Sequence, residues 1–493
     1  MRFVRGLQAS IIVMGALAIG CSPSISGPGA GTGANLGACT DDCDPPATPA
    51  ACVDPTQLVT PSSASLANAL TSITADHAVT ADEWTNVLSP IVATLAKNAS
   101  ADSRALVALW HDATVTFDPS ALSSLQAALQ AQFGYSIFWD SQPTQGSLAW
   151  WLQRNITETD FDLDCLAALV GSQGSLTTAI LDTGFDYSNP ALTGKIWTNP
   201  GEIPGNGVDD ESDGLIDDIN GWDFLRNVAA LDDPTQGQDS ADHGTDVSGL
   251  ATGGSTALQA MGLRISTEFF VESTSAAQNA GTAAAIDYAA AHGARFINRS
   301  GPVPGDVTPV TDAIGRHPEV LFTFASGDDG AEVAPGQAQY ALAALQLPNV
   351  VMVAAAAEDG TPASYSSHSA TLVDVAAPGD AISTWGMKDQ EYGGGSGTSM
   401  SAPIVLNVAA KCALLAPSLT PIELKKILYL ATEKDPAWAA IDAASGTVNA
   451  HVALRIAALT ALVRAGKTPD QAADTLMLMG DERTSLIALQ QLL

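Results

Sequence analysis

Basic residues are scarce in this chain: 20 Lys and Arg stand against 53 Asp and Glu in 493 residues, for a formal charge of −33. Such a surface repels phosphate backbones and anionic lipid headgroups, which argues against nucleic acid as a partner and leaves cations as the better candidates. A long apolar run is also missing. The N-terminal stretch Ile11 to Ile19 is too short to span a bilayer, and with Arg2 and Arg5 before it residues 1–20 read as an export signal. Cysteine is sparse. Of the six, setting Cys21 aside leaves Cys39, Cys43, Cys52, Cys165 and Cys412, an odd number that cannot all pair. The spacing of Cys39, Cys43 and Cys52 fits no zinc template well, although one disulfide could form there after export. Apolar side chains are plentiful. At 46% hydrophobic residues, the chain can bury a large core.

Composition divides the chain. Residues 21–56, rich in Gly, Pro and Ser, read as a tether. Residues 57–160 read as a small, mainly helical module: Thr80 to Glu83 forms a capping box, Ser100 can cap the run from Ala101 to Trp110, and Asp118-Pro119 opens a run closed by Gly134. The pair Trp150-Trp151 could pack on the next domain or bind a ligand. From about residue 165 short apolar runs alternate with helical stretches, as a mostly parallel sheet requires. The strand candidates are 176–181, 295–300, 320–325, 349–354 and 372–376. Helices are expected over about 275–292 and after Thr420-Pro421-Ile422-Glu423, and a further helical stretch begins at Thr468.

Three motifs carry chemistry. The loop Gly393 to Gly397 runs into Thr398-Ser399-Met400-Ser401-Ala402-Pro403 and an apolar pattern ending near Leu415, which places Ser399 at a helix entrance with Pro403 in the first turn. Asp182 ends the first strand candidate, and Asp242-His243-Gly244-Thr245 opens a helix of small residues. Gly397 to Pro403 resembles the nucleophile signature of the subtilisin-like serine proteases, and Asp182-Thr183-Gly184 and His243-Gly244-Thr245 resemble that family's other two motifs in the expected order. The resemblance covers about residues 165–458, and residues 459–493 form a helical extension.

The resemblance implies an α/β, subtilisin-like three-layer fold and a serine endopeptidase acting on peptide or protein substrates, without an organic cofactor. Ser399 would be the nucleophile, His243 the general base and Asp182 its orienting carboxylate. The helical module would stand where the family carries a propeptide. Ser300 and Gly301 would offer a sheet edge to the substrate. Phe324 to Gly330 resembles the oxyanion segment, with Asp328 where an asparagine amide would donate; only a protonated Asp328 can do so, and burial raising its pKa would bring a mildly acidic optimum. Pro302, Asp246, Ile404, Asn407 and Asp328 depart from the family pattern. They support the alternative of a catalytically weak or inactive surface protein that binds peptides. A sedolisin-like enzyme would also use an oxyanion aspartate, but His243 stands where sedolisins have glutamate.

Two further expectations concern ions and lipid. Asp209, Glu211, Asp213 and Asp217 alternate around Gly214 like the first half of a calcium loop, although Asn220 replaces the acid that would complete it; bound calcium and a solvated acidic loop both remain open. Leu17 to Cys21 resembles the box at which bacterial lipoprotein precursors are lipidated on cysteine. Ordinary cleavage after Gly20 would instead release a secreted protein.

Overall fold

The computed structural model describes residues 163–493 apart from 164–165, 168, 173, 190–191, 232–241, 254, 267–274, 302, 304, 358–359, 381, 386–391, 477 and 479. The expected signal, tether and N-terminal module, together with Cys21 and Pro302, lie outside the described residues.

Apolar, β-branched runs with no polar face can satisfy their backbone only by pairing on both sides, and here they do so in one nine-stranded sheet. In chain order its strands are β1 (Leu176–Asp182), β2 (Gly221–Asp223), β3 (Leu258–Arg264), β4 (Phe296–Arg299), β5 (Leu321–Ala325), β6 (Val350–Ala356), β7 (Val375–Pro378), β10 (Thr432–Lys434) and β11 (Gly446–Val448). A separate hairpin pairs β8 (Ile382–Trp385) with β9 (Tyr392–Gly395). Across the large sheet the order is β10-β11-β7-β6-β5-β4-β1-β3-β2, and every neighbouring pair is parallel except β10 with β11. The five strand candidates from the sequence are all present. The first four differ from the observed bounds by no more than two residues, whereas the fifth lies toward Pro378. β3 escaped the sequence reading because Gly262 and Arg264 interrupt its apolar run; Arg264 is buried, donating to Thr183 O at 2.7 Å and to Asp223 Oδ2 at 2.9 Å.

Helices α1 (Asp242–Ala251), α2 (Ser275–Ala291), α3 (Thr308–Arg316) and α4 (Thr398–Leu415) follow, with α5 (Pro421–Leu430), α6 (Ala450–Arg464), α7 (Pro469–Thr475) and α8 (Gly480–Gln490) toward the C-terminus. α4 is the central helix. It packs on β4 to β7 and against α1, α5 and α6. It is long and apolar enough to cross a membrane, but it is buried inside the protein, so its apolarity serves the core. The capping boxes at Thr420 and Thr468 are formed. The boundary expected at residue 458 falls within α6, and Leu462, Ala472, Ala473 and Leu486 beyond it join the common hydrophobic core.

Candidate active site

Strand β1 has β3 on one side and β4 on the other, so the strand order reverses there and a crevice opens at its C-terminal end, where Asp182 sits. Asp182 is fully buried. Its Oδ1 accepts the Thr183 amide at 2.8 Å and lies 2.7 Å from His243 Nδ1. His243 is the second residue of α1, and the glycine after it is required by contact: a Cβ on Gly244 would stand 2.1 Å from Gly184 O and 3.2 Å from Asp182 Cβ. Only a bare backbone lets α1 approach the aspartate so closely. Asn407 of α4 then fixes the far end of α1, donating to Ala251 O at 3.0 Å and Gly253 O at 3.1 Å. That departure from the family pattern therefore ties the histidine helix to the serine helix.

Ser399 is the second residue of α4 and half-buried. Because α4 starts at Thr398, Pro403 stands in the second turn and not, as expected, in the first. Proline cannot donate to the carbonyl four residues earlier, which is Ser399 O. Ser300 Oγ fills that gap, donating to Ser399 O at 2.7 Å. Asn298 Nδ2 donates to Ser300 Oγ at 2.8 Å and Thr323 Oγ1 to Asn298 Oδ1 at 2.8 Å, so a buried polar chain from β5 through β4 holds the serine turn. The Ser300 side chain thus supports Ser399, which is compatible with the expectation that the backbone edge at Ser300 and Gly301 meets substrate. Asn298 and Thr323 were missed because buried polar residues within strand runs carry no distinctive pattern.

Asp328 reaches α4 as an acceptor. Thr398 N and Thr398 Oγ1 donate to its Oδ1 at 2.7 and 2.9 Å, and the residue is exposed. A Cβ on Gly397 would lie 2.9 Å from Ser399 Oγ and 3.3 Å from Asp328 Oδ2, so the hydroxyl and the carboxylate flank one spot. The burial expected of Asp328 is not found, and the residue serves as a cap contributed from outside the helix.

Burial alone would pull the His243 imidazole down, but the Asp182 charge and hydrogen bond, then the charges of Asp246 and Asp328, leave its pKa raised above the ordinary value. Arg299, at the end of β4, is pushed down to about 9 by burial and partly restored by Asp182. Beside this centre lies a cleft lined by Gly301, Val303, Phe324, Ala325, Tyr340 and Met352, at the ends of β4 and β5.

The carboxylates of the acidic loop face two kinds of partner. Asp209 turns its carboxylate to the amides of Ser212, Asp213 and Gly214, and Asp217 to those of Asn206 and Gly207. Glu211 and Asp213 converge instead with Asp218 and His292, one ligand atom from each lying within 4.8 Å of the others. Of the four residues expected for calcium, Glu211 and Asp213 belong to this group, which also contains an imidazole, whereas Asp209 and Asp217 face backbone amides.

The chain is 29% identical over 286 residues to a thermophilic serine proteinase of Bacillus sp. (strain AK1), an alignment covering 56% of this chain and 60% of that protein. It is 28% identical to halolysin of Haloferax mediterranei over 52% of this chain and 44% of that one. The chain thus spans less than two thirds of either relative. Solved structures with similarity include a cold adapted subtilisin-like serine proteinase, at 23% identity and TM-score 0.41 over 56% of this chain and 87% of that one. Subtilase cytotoxin is another, at 19% identity and TM-score 0.48 over 64% of this chain and 99% of that one. The model of the subtilase family matches residues 174–453, more than half of the chain and all three motifs, and on that match this chain belongs to the subtilase family.

Proposed function

We propose that this chain is an exported serine endopeptidase that cleaves peptide bonds in peptide or protein substrates. The observation that carries the reading is the 2.7 Å pairing of Asp182 with His243, on a helix clamped to the one that presents Ser399. Ser399 Oγ attacks the scissile carbonyl carbon while His243 Nε2 takes its proton, and Asp182 stabilises the resulting imidazolium. The tetrahedral intermediate expels the amine, which His243 protonates, leaving an ester on Ser399. Water, deprotonated by His243, then attacks the ester, and His243 returns the proton to Ser399 Oγ as the acid is released. The Ser399 amide, in the first turn of α4, is the oxyanion donor this reading requires, helped by the helix dipole.

One observation favours a weaker enzyme or a peptide-binding relative. Ionised Asp328 cannot donate to an oxyanion, and loss of one such donor costs about 10²–10³ in rate, a magnitude measured on subtilisin and carried over here. The test is active-site labelling: a fluorophosphonate probe should label the purified chain and leave Ser399→Ala unlabelled. Equal labelling of both removes Ser399 as nucleophile; labelling of neither supports the binding reading. Residues 1–20 and Cys21 support export with a lipid anchor, in which case Cys21→Ser should move the protein from the membrane to the soluble fraction. Unchanged fractionation would leave that anchor unsupported.

A further inference from the structure

Away from Asp182, His243 and Ser399, the loop that precedes β2 meets the residue following α2. Asp218 there is fully buried, yet its Oδ1 has no hydrogen-bond partner. Its Oδ2 is occupied, accepting Asn199 Nδ2 at 3.1 Å and the hydroxyl of Tyr288. An unsatisfied carboxylate oxygen in the interior is expensive unless a cation, a proton or a hydrogen-bond donor answers it.

The histidine points the same way. His292 Nδ1 lies 2.8 Å from Tyr288 O, and a carbonyl only accepts, so Nδ1 carries the proton. In the neutral ring Nε2 therefore holds a lone pair. That lone pair faces Glu211 Oε1 at 3.2 Å and Asp213 Oδ2 at 3.9 Å, both oxygens of carboxylates. A proton on Nε2 would serve one of these contacts and leave Asp218 unanswered. A divalent ion serves all four side chains. A histidine whose other nitrogen is anchored to a backbone carbonyl has its tautomer and orientation set for a metal ligand.

We propose that Glu211, Asp213, Asp218 and His292 form a structural site for a divalent first-row transition ion of the zinc class. The donor set decides the class: calcium and magnesium favour all-oxygen shells, whereas an imidazole among carboxylates suits zinc and its neighbours. Four protein ligands fill a tetrahedral shell and leave no open position for catalysis. The ion would fasten the acidic loop to the end of α2. This inference is independent of the peptidase reading and survives its failure.

The full chain, stripped with EDTA and dialysed, is titrated with zinc chloride by calorimetry and melted with and without zinc; calcium chloride is the second arm. One zinc ion per chain should bind and raise the melting temperature. His292→Gln and Asp213→Asn should each weaken zinc binding by more than about tenfold, the loss that removing even an indirect support of a ligand can cause. In their metal-free forms both variants should melt with the stripped parent, showing that the fold is intact. The inference is overturned if zinc does not bind, if both variants bind it as the parent does, or if calcium alone stabilises the chain and does so equally with His292→Gln.

Discussion

Asp328 concentrates the chemistry of single residues in this site. As an ionised acceptor of Thr398 it caps the serine helix and adds negative charge beside His243, whose pKa is raised. The sign follows directly. If His243 is the general base, catalysis needs neutral imidazole, so activity should be lost as pH falls through a value above the ordinary 6.5 or so, and the raised His243 pKa predicts a neutral or alkaline optimum. Asp328→Asn removes a charge that holds the proton on His243 and supplies an amide donor. The acid limb of kcat/KM should therefore move to lower pH, and the rate at neutral pH should rise by up to about the 10²–10³ that one donor contributes. A pH–rate profile on a fluorogenic peptide reads both effects; if neither limb nor rate changes, Asp328 has no part in the chemistry.

At the scale of elements, two helices must meet one strand end within tenths of an ångström. The contact that allows it is Gly244 against Gly184 O, where an added Cβ would stand only 2.1 Å away. Gly244→Ala must therefore push α1 off β1 and stretch the Asp182–His243 bond. We expect kcat to fall by about 10² or more, because a displacement near 1 Å is enough for that, and stability to drop by about 1–3 kcal/mol from overpacking. Chemical denaturation together with steady-state kinetics separates the two effects. A variant with parental kcat would show that α1 can reach Asp182 without this close approach.

Across the whole molecule the formal charge of −33 opposes compaction at long range. Screening shortens that repulsion, since the Debye length falls from about 10 Å at 0.1 M to about 3 Å at 1 M salt. The melting temperature should accordingly rise as sodium chloride is raised over this range, measured in a chelator so that bound cations do not contribute. A flat or falling melting temperature would mean that the charge is already balanced locally, as pairs such as Arg264 with Asp223 do within the sheet.

What the sequence determined by itself is whatever depends on local pattern. Asp182, His243 and Ser399 could be named because each stands at the end of an element, a strand's C-terminus or a helix entrance, and such ends leave their mark in adjacent glycines and apolar runs. Strands β5 and β6 were legible for a similar reason, since burial on both faces demands a mainly apolar run. Tertiary structure decided the rest. Asp328 became a helix cap because Thr398, 70 residues later, turns two donors toward it. Ser300 became a support for Ser399 because Pro403 leaves a carbonyl without its helical donor. Glu211, Asp213 and Asp218 met His292 only through the packing of a loop against the end of α2, while Asp209 and Asp217 turned to their own backbone. Alternation along a loop records which residues are acidic; which oxygens share a centre depends on backbone turns and on partners distant in sequence, and these are set only when the chain is folded.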